Sequence, residues 1–159
     1  MMWASHGSSP WVCLYAVAGG EMKSYERPLT IWGLIWGLPN TLIGVLFALL
    51  SASAWSFRDG MLVCKGDRGF AHIFLGKRGF AAMTLGRVVL VVQSLGRATW
   101  MHELEHARQA ERWGIAYLPA YLLNHVRYGY DRNPFEVSAV AVENEFQADH
   151  PDTADEPAV

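Results

Sequence analysis

The sequence predicts an α+β fold in three parts. These are a hydrophobic membrane helix or helical hairpin near the N-terminus, a small β-sheet, and two helices that carry H-E-x-x-H and a downstream glutamate. Three observations predict this fold: an uncharged run over residues 29–55, short apolar runs separated by glycines over 57–93, and helical patterns over 97–113 and 133–148. At 159 residues the chain suits one domain with a core and is too short for two of ordinary size.

The composition limits the partners that the chain is expected to have. Hydrophobic residues make up 52% and there are seven tryptophans, which predicts that part of the chain meets lipid. The net charge is −2 and the basic residues are scattered, so nucleic acid is not predicted as a partner. Cys13 and Cys64 are isolated and indicate neither a zinc knuckle nor a disulfide framework. Residues 1–28 form an N-terminal segment, and the acidic residues 151–159 predict a disordered tail.

The segment 29–56 is the basis of the membrane prediction. No charged residue occurs in the 27 positions from Leu29 to Trp55, more than the roughly 20 apolar residues that a membrane-spanning helix needs. Pro39 and Asn40 interrupt the run, so a kinked span and a hairpin are both open, with a buried core helix as the alternative. We therefore predict membrane localisation with the lipid bilayer as a partner. More positive charge follows the run than precedes it, which for a single span favours a cytoplasmic domain over residues 57–150.

The strand prediction rests on three phrases, DGMLVCKGD, GFAHIFLGKRGFAAMTLG and RVVLVVQ. Glycine breaks and β-branched residues favour short strands joined by tight turns. The last phrase is apolar on both faces, as in a buried strand. It precedes the helix that carries the histidines, so it is predicted to bind an extended peptide by strand addition if its edge is free. The residues of this predicted substrate strand are Val88, Val89, Leu90, Val91 and Val92.

Two helices are predicted around the candidate site. The first covers Arg97 to Trp113 and ends at Gly114, where a left-handed cap is wanted. The second begins at NPFEVSA, with Asn133 as its N-cap and Pro134 in its first turn.

The stretch HELEH, residues 102–106, is the candidate metal motif. His102 and His106 are one turn apart on one helix face, so both imidazoles can ligate a single tetrahedral Zn²⁺. The stretch fits both H-E-x-x-H and the inverse H-x-x-E-H, and Glu103 and Glu105 each lie about 80° from the midline of the histidine pair. Only 53 residues follow His106, which favours a third ligand from a nearby second helix. We therefore interpret Glu103 as the general base, and Glu105 as an exposed residue or one that contacts a ligand without binding the metal.

The third ligand has two main candidates. Glu136 in NPFEVSA lies 30 residues after His106, although with Asn133 it also has the form of a helix capping box. Glu145 is the alternative, because Asp149 four residues later is able to orient a histidine. Glu143 and His150 are weaker candidates.

HELEHARQAERWGIAYLPAYL followed by NPFEVSA resembles small, membrane-associated bacterial proteins of the HExxH, Glu-ligand (gluzincin-type) zinc metallopeptidase kind. The resemblance spans about Trp32 to Ala139 and includes GLIWGLPNTLIG. It implies a zincin-like domain, an inner-membrane location, and metal-site roles for His102, Glu103, His106 and Glu136. The sequence departs from the family at Val140, where many Glu-ligand zincins have an aspartate four residues after the ligand.

The predicted function is a membrane-associated zinc metallopeptidase acting on a peptide or protein. Zn²⁺ held by His102, His106 and Glu136 would lower the pKa of a water and polarise the peptide carbonyl. Glu103 would take the water's proton and pass it to the leaving amine. One alternative is an inactive membrane protein whose metal site is closed by a fourth ligand such as Glu145. Another is a metal-free membrane accessory protein in which HELEH is a solvated face. Candidate donors to a developing oxyanion are Tyr117, Tyr121, Tyr128, Tyr130, Arg87 and Arg127.

Overall fold

A computed structural model describes residues 23–51, 53–66, 69, 73, 75 and 79–159 of the chain. Most of the predicted N-terminal segment, including Cys13, lies outside the described residues. The described part is α+β, with a mixed four-stranded sheet and helices packed against it.

The sheet has the spatial order β1-β2-β4-β3. Its strands are β1 (Ala54–Arg58), β2 (Met61–Lys65), β3 (Ala82–Leu85) and β4 (Val88–Val91). β1 and β2 form an antiparallel hairpin, β2 and β4 are parallel, and β3 and β4 are antiparallel. The first hairpin turns at Asp59 and Gly60, both with positive φ, as expected for an Asp-Gly pair in a two-residue turn.

The strand predicted to bind substrate is central rather than at an edge. β4 pairs with β2 on one side and with β3 on the other, so its backbone has no free edge, and Val92 lies just beyond its end. The prediction of Val88, Val89, Leu90, Val91 and Val92 as the substrate strand is therefore wrong. All four residues of β4 are buried, because helices cover both faces of the sheet. Among the described residues β3 pairs with β4 alone, so β3 presents the free edge on this side.

The helices of the described residues are α1 (Ile31–Trp36), α2 (Leu38–Ser51), α3 (Arg97–Trp113), α4 (Tyr117–Tyr128) and α5 (Pro134–Asp149). Short 3₁₀ turns cover Ser24–Glu26 and Gly114–Ala116. The predicted bounds of α3 are confirmed, and Gly114 ends it with a φ of 55°. The predicted start of α5 is also confirmed: the side chain of its N-cap Asn133 accepts a hydrogen bond from Phe135 N at 3.2 Å.

The uncharged run from Leu29 to Trp55 does not form one long helix. It divides at Gly37 into the six-residue α1 and the fourteen-residue α2, and its last two residues, Ala54 and Trp55, belong to β1. Within the described part of the chain, every helix is too short or too polar to cross a bilayer. The prediction of a membrane helix or hairpin is wrong, and so is the membrane localisation predicted from it.

The packing of α2 explains why this run belongs to the folded domain. Its buried face consists of Asn40, Gly44, Ala48 and Ser51, spaced by about one turn. The Asn40 side chain donates a buried hydrogen bond of 2.7 Å to Gly114 O, which fastens α2 to the end of α3. A Cβ on Gly44 would lie 2.7 Å from Leu85 O, so glycine allows the helix to lie directly on the sheet. This narrow face of small and polar residues therefore places α2 against the sheet.

The sheet is covered on both faces. On one face Met61, Val63 and Val89 pack with Trp100 and Leu104 of α3. On the other, Cys64, Val88 and Leu90 pack with Ala48 of α2. α3 is therefore held between the sheet and α5, the arrangement that positions the site.

The acidic C-terminal residues 151–159 are ordered against the rest of the domain. Their carbonyls accept hydrogen bonds from Arg97 N and Ala98 N in the first turn of α3, at 3.0 Å each. The N-cap of α3, Gly96, has no side chain to take these bonds, and the tail takes them instead. Ala154 and Ala158 are buried in the same contact. The predicted disordered tail is therefore wrong.

Candidate metal centre

His102, His106 and Glu136 form a buried cluster between α3 and α5. The helical spacing places both histidines on the face of α3 that packs on α5, and the N-cap of α5 brings Glu136 opposite them in the first turn. The two Nε2 atoms lie 3.2 Å apart. The distance from His102 Nε2 to Glu136 Oε2 and that from His106 Nε2 to Glu136 Oε1 are both 3.4 Å.

One nitrogen from each histidine and one oxygen of Glu136 all lie within 4.8 Å of one another, close enough to share one ion. Zn²⁺ held tetrahedrally at 2.0–2.2 Å has ligand atoms about 3.3–3.6 Å apart. In addition, Glu136 Oε2 is buried and has no hydrogen-bond partner among the described residues. A buried carboxylate oxygen without a partner is costly unless a cation compensates it. The group is therefore able to hold a metal ion.

The outer nitrogens of both histidines are held by acceptors. His102 Nδ1 lies 3.2 Å from Glu143 Oε2, and His106 Nδ1 lies 3.0 Å from Gln109 Oε1. The amide orientation of Gln109 is set because its Nε2 donates to Phe135 O and to Ser138 Oγ. A carboxylate and an amide oxygen only accept, so both Nδ1 atoms carry the proton. Each Nε2 is thereby directed into the cluster and is available to a proton or a metal ion.

The carboxylates make the cluster favourable for positive charge. Burial lowers the pKa of His102, but its contacts with the carboxylates of Glu136 and Glu143 outweigh burial and raise that pKa to about 10. The pKa of His106 is raised in the same way by Glu136, again against burial. Burial raises the pKa of Glu136, yet its contacts with the two histidines hold it well below its ordinary value. Adjacent positive charges on the two imidazoles repel each other, whereas one metal ion would be shared between them.

Glu103 and Glu105 differ in their surroundings: Glu103 faces the cavity and Glu105 faces arginines. Glu103 lines the same cavity as the cluster, and its carboxylate accepts a hydrogen bond of 2.5 Å from Thr84 Oγ1 on β3. Glu105 does not line the cavity and forms ion pairs with Arg108, at 3.7 Å, and with Arg112. The expectation of an exposed Glu105 is wrong, since its exposed fraction is 4%. HELEH is not a solvated face either, because all five of its residues are buried.

The cavity has a volume of about 600 Å³ and lies between β3, α3, α4 and α5. Three of the predicted oxyanion donors line it, namely Tyr117, Tyr121 and Tyr130, whereas Tyr128, Arg87 and Arg127 do not. Tyr121 OH donates to Glu136 Oε1 at 2.5 Å, and burial followed by this carboxylate raises the pKa of Tyr121. The tyrosines are therefore protonated donors at neutral pH.

The other proposed ligands, Glu145 and His150, lie outside the cluster of His102, His106 and Glu136. Glu145 accepts a hydrogen bond from Ser24 Oγ, and His150 stacks on Phe146 with 4.4 Å between ring centroids. Asp149 accepts a hydrogen bond of 2.8 Å from Tyr25 OH, so it does not orient a histidine. Glu136 is also not a capping-box residue, since its carboxylate faces the histidines.

Sequence reasoning missed part of the site. It treated Glu143 as a weak ligand candidate, whereas Glu143 orients His102 and accepts a bond of 2.9 Å from Thr99 Oγ1. Val140, where an aspartate was expected, is 42% exposed. The available signal was helical spacing, because Glu143 lies two turns after Glu136 and Gln109 lies one turn after His106. Thr84 lies on a separate strand, and no local pattern connects it to Glu103.

Comparisons with protein families, with curated proteins and with solved structures gave no match to this chain. The fold and the site define the class: an α+β protein with a buried His-His-Glu group able to hold a metal ion.

Proposed function

We propose that this chain is a zinc-dependent peptidase with Glu103 as its general base, similar in its site to the gluzincin-type enzymes. One observation carries the proposal. The three-ligand group and the carboxylate of Glu103 line a single cavity, beside a strand whose outer edge is free in the described part of the chain.

The donor set favours zinc. Two imidazole nitrogens and one carboxylate are a common zinc ligand set, and catalytic sites keep one position open for water or substrate. His102, His106 and Glu136 would hold the ion, with the remaining side toward the cavity. A zinc ion there supplies Lewis acidity, which acidifies a water and polarises a carbonyl.

Glu103 is the group that accepts and donates the proton in the proposed hydrolysis. Its carboxylate accepts the proton that the attacking water loses as a bond forms between the water oxygen and the carbonyl carbon. It then returns that proton to the amide nitrogen as the carbon–nitrogen bond breaks, so the carboxylate is regenerated. The Thr84 hydroxyl holds one oxygen of Glu103, which leaves the other for this transfer. Tyr117 and Tyr130 provide hydroxyl donors in the cavity wall for charge that develops on the carbonyl oxygen.

β3 replaces β4 as the proposed substrate strand. Ala82, Met83, Thr84 and Leu85 all line the cavity, and an extended peptide is able to pair with their free backbone edge. Because Thr84 also contacts Glu103, a peptide on this edge lies next to the base.

The first test is the zinc content of the purified full-length chain, measured by elemental analysis. We expect about one zinc per chain, since the described residues contain one three-ligand group. His106→Ala and Glu136→Gln should lose the ion, whereas Glu145→Gln, a matched change on the same helix as Glu136, should keep it. Loss in Glu145→Gln with retention in Glu136→Gln would contradict the assigned ligand set.

The second test separates the two glutamates of HELEH. Glu103→Gln should keep zinc and lose peptide hydrolysis by roughly 100-fold or more, as is usual when a general base is removed. Glu105→Gln is the matched control and should retain hydrolysis, with folding of both variants verified by circular dichroism. Full activity in Glu103→Gln would exclude the proposed mechanism, and an inactive, folded Glu105→Gln would favour the inverse motif.

A further inference from the structure

We infer that β1 is an interface for a second copy of this chain, which pairs with it strand to strand across a two-fold axis at Ser56. The pairing joins the two four-stranded sheets edge to edge. The inference is independent of the proposed peptidase function, because β1 and the strand that lines the cavity, β3, are at opposite edges of the sheet.

β1 is an exposed edge strand in the described part of the chain. It pairs there with β2 alone, and all five of its residues are exposed. The strand at the other edge, β3, is half-buried. Native edge strands are usually protected by proline, by charged residues or by a bulge. The sequence of β1, AWSFR, has no proline, and its one charged residue, Arg58, is the last of the strand, so β1 is open to pairing.

The backbone groups of β1 that face outward belong to Trp55 and Phe57. Leu62 N on β2 donates a hydrogen bond of 2.8 Å to Arg87 O on the β4 side, so the even-numbered residues of β2 face β4. The odd-numbered residues of β2 therefore face β1, where they pair with Ala54, Ser56 and Arg58. Because the direction alternates along a strand, the N–H and C=O groups of Trp55 and Phe57 face away from the sheet.

A two-fold axis at Ser56 pairs these outward groups with each other. Trp55 of each copy then lies opposite Phe57 of the other copy, and the two strands exchange about four backbone hydrogen bonds. Arg58 lies opposite Ala54 in this register, so like charges do not meet across the strands. The same surface on both copies is therefore complementary to itself, as a symmetric dimer requires.

Aromatic side chains add to the backbone pairing. Trp55 is 44% exposed and Phe57 is 74% exposed. Both project from the sheet face that α2 covers, since their partners Cys64 and Leu62 pack on that side. α2 packs mainly on β3 and β4, so the aromatics of β1 are left uncovered by it. In the paired sheets they form cross-strand aromatic contacts, which stabilise antiparallel strands.

The size of this surface suits a reversible dimer. Aromatic side chains bury roughly 150–250 Å² each when they are fully covered. The aromatics of two copies, together with the strand backbones, therefore approach the roughly 1,000 Å² that specific interfaces need at least. We expect a dissociation constant in the micromolar range.

The first experiment is sedimentation equilibrium of the full-length chain over about 1 to 200 μM, where mass action populates a micromolar dimer. We expect a change from monomer to dimer across this range. Phe57→Lys should weaken the dimer by about 10-fold or more, because a lysine on an edge strand opposes pairing. A chain that is monomeric over the whole range would overturn the inference.

Val126→Lys is the matched control for Phe57→Lys. It places the same charge at an exposed apolar residue of α4, a helix that lines the cavity at the β3 edge, and should leave the dissociation constant unchanged. Both substitutions are at exposed side chains, and circular dichroism verifies that the variants fold. Equal weakening in the two variants would assign the effect to net charge and overturn the inference.

Disulfide trapping tests the register. At the two-fold axis the Cα atoms of the two Ser56 residues are about 4.5 Å apart, within the range that a disulfide bridges. Ser56→Cys should therefore cross-link under mild oxidation at least about 10-fold more than wild type, whose own thiols are Cys13 and Cys64. Mass spectrometry identifies the link between the two introduced thiols.

Ser53→Cys is the control for the register. Its two copies lie about 20 Å apart in this pairing, so it should cross-link no more than wild type. Equal cross-linking of Ser53→Cys and Ser56→Cys would overturn the inference. A chain that stays monomeric and cosediments with phospholipid vesicles, with Phe57→Lys losing that binding, would assign the aromatics to a different occupant and also overturn it.

Discussion

Both candidate histidine ligands are oriented by a polar side chain on the side away from the cluster. Glu143 contacts His102 Nδ1 and Gln109 contacts His106 Nδ1, at 3.2 and 3.0 Å. Such outer contacts set which nitrogen faces a metal and how the ring is aimed. Metal affinity is therefore expected to depend on residues that are not ligands.

Replacing Glu143 by Leu should weaken zinc binding by about 10- to 100-fold, because His102 loses the acceptor that orients its ring. Zinc Kd values measured by competition with a chelator of known affinity would show this. Glu143→Gln keeps an acceptor oxygen and should lose less. Wild-type affinity in Glu143→Leu would show that the contact does not orient the ligand.

Thr84 should affect turnover rather than substrate binding. Thr84→Val keeps the shape of the side chain and removes the hydrogen bond to Glu103, so we expect kcat to fall roughly 10-fold or more with little change in KM. Thr84→Ser restores the hydroxyl and should recover most of the activity. A Thr84→Ser variant as impaired as Thr84→Val would indicate that packing of the methyl group matters instead.

α2 explains how an uncharged run comes to belong to a packed domain. Its inward face carries Asn40 and small residues, and its outward face exposes Leu42, Leu46, Leu49 and Leu50. By composition this helix is indistinguishable from a membrane segment. Its length and the buried hydrogen bond of Asn40 are what distinguish it.

Asn40→Leu tests this interpretation of α2. In a membrane helix the change would be tolerated, whereas here it leaves Gly114 O without its buried donor and should reduce the free energy of unfolding by about 1–3 kcal/mol. Urea unfolding followed by circular dichroism is the measurement. The control Leu42→Asn, on the exposed face of the same helix, should change stability by about 0.5 kcal/mol or less. A larger effect in the control than in Asn40→Leu would contradict the observed orientation of α2.

At the scale of the whole molecule, residues 151–159 pack against the first turn of α3, the helix that carries the histidines. Deleting residues 151–159 exposes the first-turn N–H groups of α3 and uncovers Ala98 and Leu95, so we expect a loss of about 2–4 kcal/mol in stability. Thermal and urea unfolding measure this loss. An Asp152→Ala, Asp155→Ala double variant removes exposed charge alone and should be close to wild type. A truncated chain as stable as wild type would show that the tail contributes nothing.

Metal removal should also be detected in the stability of the whole domain, because the cluster joins α3 to α5. Free zinc at about 100 times its Kd stabilises a protein that binds it only when folded by about 2.7 kcal/mol, which corresponds to a rise in Tm of roughly 5–10 °C. EDTA should reverse the rise. His106→Ala should show no rise, and an equal rise in that variant would place the zinc elsewhere.

The parts of the fold and site that could be predicted are those with short-range causes. The bounds of α3, its end at Gly114 and the Asn133 cap follow from helical periodicity and capping, which depend on neighbouring residues alone. The pairing of His102 with His106 follows from the same periodicity. Glu136 was predicted as a ligand because it begins the next helix, and the structure brings it into the cluster.

Only the tertiary structure decided the rest. Glu103 and Glu105 are equivalent on the helix, and they differ because β3 faces one and Arg108 and Arg112 face the other. Whether β4 has a free edge depends on its neighbours in the sheet, and whether α2 meets lipid or a sheet depends on what packs against it. The sequence by itself determined which residues are able to bind a metal, because ligand type and helical spacing are local. The tertiary structure determined which carboxylate, strand and cavity accompany them, because those are contacts between segments distant in the chain.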